Sequence, residues 1–237
     1  MILTKEHWNK NDISDFQNYL LSFSKGVEKS IWEKRIVNTN LPCIAVPSTK
    51  VSLLVRQIMK GNFKEFLELW IWENHTNTII IGSIISKIKD FDLMANYLKK
   101  YASMCDNWAT CDVLKFNITE NNAQDFFNLA KSYVQKQKTF EKRIGYLILL
   151  KLVNFNAYID KIFEILNNSN QETEYYVNMI KAWLLCECFV KHRLETLSFL
   201  ENSNLDKFTI NKAISKCRDS FRVSDEDKAL LLKYKVK

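Results

Sequence analysis

Four glycines and two prolines in 237 residues leave this chain almost without turn formers, and both prolines, Pro42 and Pro47, fall before residue 50. All-β folds reverse direction often and use Gly and Pro at the reversals, so an all-β architecture is excluded. Beyond Pro47 almost nothing interrupts a helix. The Ile-rich run 79–85 is far too short to span a bilayer, so no membrane role is expected. The six cysteines form no C-x-x-C pair, and His7, His75 and His192 do not fall at ligand spacing, so no metal and no cofactor is expected. A Gly-rich phosphate loop, an H-E-x-x-H helix and a Ser/Cys–His arrangement are all missing, which argues against an NTPase or a triad hydrolase. The opening Met-Ile-Leu-Thr-Lys-Glu-His-Trp carries no signal-type apolar run, and unpaired thiols suit a reducing cytoplasm, the expected location.

What the chain does have is apolar residues, 47% of the total, recurring at helical spacing almost throughout. The spacing predicts helices at about 12–24, 27–38, 48–60, 63–73, 76–88, 91–103, 107–117, 122–136, 139–153, 155–167, 172–190, 193–201, 207–219 and 224–234. Short Asn- and Ser-rich breaks separate them, since these side chains bond their own backbone and so replace Gly and Pro as punctuation. The elements pair into units of roughly 35–45 residues, the pattern of a HEAT-like or armadillo-like array. The expected fold is all-α: a curved right-handed solenoid of paired antiparallel helices, one domain over residues 1–237 with 1–47 its least regular part. A plain helical bundle is the alternative architecture. The net charge of +7 is compatible with a polyanion partner.

Residues 106–112, Asp-Asn-Trp-Ala-Thr-Cys-Asp, hold the most informative local pattern. Asp106 or Asn107 can cap a helix on which Trp108 and Asp112 fall at i and i+4. An aromatic face beside a carboxylate suits a cation. Further on, Arg143 and Lys151 lie eight apart in one predicted helix, where they can grip successive phosphates or simply form a solvated face. Trp183 sits in a strongly apolar helix, the setting of a core residue, and is also placed to serve as a second aromatic wall. Lys212, Lys216 and Arg218 share a helix face, and residues 191–237 hold about 11 basic against 7 acidic residues. A basic face of this kind reads as a backbone clamp. Trp70 and Trp72 are expected on opposite sides of a helix with at least one in the core, and His75 in an exposed break.

Taken together, Asn107-Trp108…Asp112, Lys142-Arg143, Tyr175-Tyr176-Val177…Ala182-Trp183 and the run 211–224 resemble the AlkD-like DNA alkylation repair family, HEAT-like repeat alkylpurine DNA glycosylases. The resemblance runs over most of the chain. It implies that Asp112 is the catalytic carboxylate and that Trp108 and Trp183 form an aromatic cleft. It also implies that Arg143 contacts the DNA backbone, with Lys151, Lys212, Lys216, Arg218 and Arg222 as further DNA-binding residues. The implied partner is double-stranded DNA, above all alkylated DNA, engaged by a monomer without the usual extrusion of the base into a pocket. Residues 30–39 and 44–50 depart from the family pattern and look like a branch in which an N-terminal DNA-clamping helix is altered. Two alternatives therefore stand beside the glycosylase: a non-catalytic DNA-binding member of the family, and a protein-binding helical scaffold.

Overall fold

The computed structural model describes residues 1–237, all of its regular structure is helical, and the chain groups into two compact units, Met1–Asn117 and Ile118–Lys237. The first unit holds α1 (Asp12–Leu21), α2 (Val27–Val37), α3 (Ser48–Ile58), α4 (Phe63–Leu69), α5 (His75–Ile85), α6 (Phe91–Met104) and α7 (Trp108–Asp112). The second holds α8 (Ala123–Val134), α9 (Thr139–Leu152), α10 (Ile159–Asn167), α11 (Tyr175–Lys191), α12 (Arg193–Asn202), α13 (Lys207–Asp219) and α14 (Asp225–Leu231).

In the first unit, α5 is apolar on most of its circumference and is its central helix. Ile80, Ile81, Ile84 and Ile85 are fully buried, and α3 packs on it through Val51, Leu54, Val55 and Ile58, a three-and-four spacing that gives one apolar stripe. α6 and α7 also pack on α5. Tyr101 of α6 is completely buried, and its hydroxyl lies between the carbonyls of Thr110 and Thr78, at 2.8 and 3.0 Å. Gly82 makes room for that hydroxyl: a Cβ there would lie 2.3 Å from it. Trp8, Phe16 and Phe66 form an edge-to-face cluster that fastens the N-terminal segment to α1 and α4.

The second unit has a simpler logic. α9, α11 and α13 pack side by side in a row, and they begin at Thr139, Tyr175 and Lys207, roughly 35 residues apart. This is the arrangement of a helical repeat, in which one helix of each pair stacks on its counterpart in the next. α8 packs closely against α9 because residue 145 is glycine; a Cβ there would come within 2.7 Å of the Val134 amide. Lys181 is fully buried, and its ammonium donates to the Ser169 carbonyl at 2.8 Å and to Asn178 Oδ1 at 3.2 Å, with Asp206 3.6 Å away. Asp206 in turn caps α13 by accepting from the Thr209 amide at 2.8 Å.

Several sequence expectations need correction in the first unit. The helix expected to run to residue 73 ends at Leu69, because Trp70 turns into the left-handed region at φ 46°. Trp70 and Trp72 therefore do not point to opposite sides: their rings stack at 6.0 Å, 3° from parallel, with the Lys100 ammonium 4.0 Å from the Trp70 ring centre. His75 is not in an exposed break. It is the first residue of α5 and is 3% exposed, packed under the 39–47 loop, where its backbone amide donates to the Pro42 carbonyl at 2.9 Å.

Candidate active site

Trp108 and Asp112 open and close α7, a helix of five residues. So short a helix has little intrinsic stability, and two neighbouring side chains hold it. Asn107 Oδ1 accepts from the amides of Ala109 and Thr110 at 2.9 and 3.1 Å, the N-cap the sequence suggested. Asp106 has a different task. Its Oδ2 accepts from the Thr39 hydroxyl at 2.7 Å and the Asn40 amide at 2.8 Å, while Oδ1 accepts from Asn107 Nδ2 at 2.7 Å. The cap is thus tied to the segment that leaves α2. The Trp108 indole donates to the Ile36 carbonyl near the end of α2, at 3.3 Å. Both Trp108 and Asp112 are half-buried, one helical turn apart.

The second unit places the remaining predicted residues. Arg143 lies on the buried part of α9 and donates to the Tyr176 carbonyl of α11 at 2.7 Å. Trp183 is half-buried on α11, and its indole bonds Glu187, one turn later. Glu187 also receives both guanidinium arms of Arg222, one of them at 2.9 Å. Burial pushes the Glu187 carboxyl up, but Arg222 and the Trp183 indole outweigh it and hold it below the usual 4.5. Arg222 is thus fixed to Trp183 through a shared carboxylate. Lys151, Lys212 and Lys216 are half-buried and Arg218 is exposed. Lys212 borders a groove of about 590 Å³ that also takes in Lys207, Lys235 and Phe208.

Sequence reasoning missed two features of the first unit. A cleft of about 570 Å³ is bordered by Arg56, Lys87 and Lys115 together with hydroxyls of Ser48, Ser52 and Ser83, a lining suited to phosphate. Beside it, Glu33, Cys43 and His75 bring a carboxylate oxygen, a thiol sulfur and a ring nitrogen within 4.8 Å of one another. Burial and the neighbouring Glu33 push the Cys43 thiol up to about 12. The cluster has no local spacing to announce it, since its members come from α2, a loop and α5, whereas part of the cleft's lining, Ser48, Ser52 and Arg56, recurs every four residues along α3.

The observation that places the chain is a match of residues 15–217 to the model of the DNA alkylation repair enzymes. The chain belongs to that family. The match takes in α7, Arg143 and Trp183 and ends at Cys217, before Arg218 and Arg222. No curated protein matches the chain significantly. As a DNA alkylation repair protein it has DNA as its substrate or partner, and none of its helices is long and apolar enough to cross a membrane.

Proposed function

We propose that this DNA alkylation repair protein is a glycosylase that releases N3- and N7-alkylated purines from duplex DNA. The observation that carries the reading is the capped α7, which holds an indole and a carboxylate one turn apart within the stretch matched to the family. Alkylation at N3 or N7 makes the purine a cation, so the base leaves without a general acid. The glycosidic C1′–N bond breaks with its electron pair going to the base, which departs neutral, and the positive charge passes to the sugar as an oxocarbenium ion. Asp112 stabilises that charge and orients a water; the water oxygen bonds C1′ and its proton leaves to the carboxylate or solvent. The products are the free base and an abasic site. Trp108 and Trp183 each supply an aromatic face for the cationic sugar. Arg143, Lys151, Lys212, Lys216, Arg218 and Arg222 are assigned to the DNA backbone.

The test is release of N7-methylguanine or N3-methyladenine from methylated duplex DNA. Release by the native protein and its loss in Asp112→Asn is the expected result. Absent release, with salt-sensitive duplex binding intact, selects instead a DNA-binding member that does not excise bases, the reading that the departures at residues 30–39 and 44–50 favour.

A further inference from the structure

The cluster formed by Glu33, Cys43 and His75 plays no part in the chemistry above, yet it is built with some care. Glu33 projects from α2, His75 from the start of α5, and Cys43 from the loop between α2 and α3. Glu33 Oε1 lies 3.0 Å from His75 Nδ1, and its Oε2 accepts from the Ala45 amide at 2.8 Å. That second bond secures a residue in the left-handed region, Ala45 at φ 49°, a conformation that a residue with a Cβ adopts only when its surroundings impose it. The backbone is thereby folded so that Cys43 comes beside the other two. The His75 ring is almost wholly buried and presents Nδ1 to the Glu33 carboxylate.

We infer that Glu33, Cys43 and His75 form a binding site for a zinc-class divalent cation. A thiolate, an imidazole and a carboxylate are the donor set that this borderline-soft class prefers, and three protein ligands leave a fourth position for water. Bonds of about 2.0 to 2.3 Å in tetrahedral geometry set the ligand atoms roughly 3.3 to 3.6 Å apart. The carboxylate and imidazole already stand near that separation, and the thiol needs to close by only about 1 Å. Binding displaces the thiol proton to solvent. The Glu33 side chain is about one-fifth exposed, so the site is reached from solvent.

The ion would brace the proposed active site rather than act in it. The loop it closes begins with Thr39 and Asn40, which hold Asp106, the residue directly before the Asn107 cap of α7. Ile36, one turn after Glu33 on α2, accepts the Trp108 indole. Loading should therefore stabilise the segment that orients Trp108.

The experiment is a titration of the chelator-treated full chain with Co²⁺. Expected is one equivalent bound, with a thiolate-to-cobalt charge-transfer band and tetrahedral ligand-field bands, all displaced by Zn²⁺. Cys43→Ser should remove the charge-transfer band, His75→Asn should weaken Co²⁺ binding about 100-fold or more, and Cys105→Ser should change neither. No stoichiometric binding, or a band that persists in Cys43→Ser, overturns the proposal. X-ray absorption on the Zn²⁺-loaded native protein tests it without any variant: one sulfur with nitrogen and oxygen neighbours is expected, and a sulfur-free shell contradicts it. These readouts do not depend on base release, so the site and the glycosylase reading can fail separately.

Discussion

Each unit contains a tryptophan followed four residues later by a carboxylate on the same helix, Trp108 with Asp112 and Trp183 with Glu187. In sequence the two pairs look alike. In the structure, Glu187 receives the Trp183 indole and both arms of the Arg222 guanidinium, so its charge is neutralised and it works as a brace that fixes the ring. The Trp108 indole donates instead to the Ile36 carbonyl, and its helix is capped by Asn107, whose side chain Asp106 ties to the segment after α2. The i, i+4 spacing therefore fixes neighbourhood but not role. Role follows from what the rest of the fold brings to the carboxylate, and of the two only Asp112 is proposed to stabilise a cationic sugar.

Neutralising each carboxylate in turn is the most severe trial of this contrast. Asp112→Asn should lower the rate of base release on the order of 10²–10³-fold, while Glu187→Gln should leave it within a few-fold and lower the melting temperature instead. Equal losses of rate would erase the distinction. Next in size is the support of the second unit. Lys181→Met removes the cation that joins the Ser169 carbonyl, Asn178 and Asp206, and should cost about 3 kcal/mol in denaturant unfolding. A loss below half that would show that the buried charge contributes little.

Smaller effects test the anchoring of α7 and the pairing of Glu187. Asn107→Ala leaves two first-turn amides without their acceptor and should cost about 1 kcal/mol of stability, with a fall in the rate of base release because Asp112 is then less well held. Unchanged stability would mean that the cap is dispensable. Glu187 is held below its usual 4.5, so its contribution to stability is present above that value and is lost as pH falls through the lowered native value. Melting temperatures of the native protein and Glu187→Gln should accordingly converge in that acid range, and a gap that persists there contradicts the pairing. Least of all, Arg143→Ala should reduce the salt slope of duplex binding by about one; an unchanged slope would remove Arg143 from the backbone contacts.

Much of the fold was legible because helical periodicity is a local property. Each of the fourteen helices overlaps a stretch that the apolar spacing marks, α13 over the same residues and α9 within one, but α4 and α7 stop short of theirs, at Leu69 rather than 73 and at Asp112 rather than 117. The failures cluster where a distant contact overrides local pattern. Trp70 leaves the helix for a left-handed turn and stacks on Trp72, which no propensity of that segment encodes. His75 looked exposed beside Asn74, but the Pro42 carbonyl and Glu33, on a loop and a helix far away in sequence, cover it. The Asn107 cap could be read from the sequence because capping acts over three residues. The Glu187–Arg222 bond spans α11 and the segment after α13, 35 residues apart, and nothing local announces it. Glu33, Cys43 and His75 gave no signal at all, since ligand spacing in sequence announces a metal site only when the ligands share a local element.

The glycosylase reading stands or falls on whether the Asp112 carboxylate drives loss of a cationic base. Single-turnover release of N7-methylguanine from methylated duplex DNA, with enzyme in excess, decides this without interference from product release. Free base should appear in step with abasic sites for the native protein, and Asp112→Asn should be slower on the order of 10²–10³-fold. Release by Asp112→Asn at the native rate would contradict the role assigned to that carboxylate.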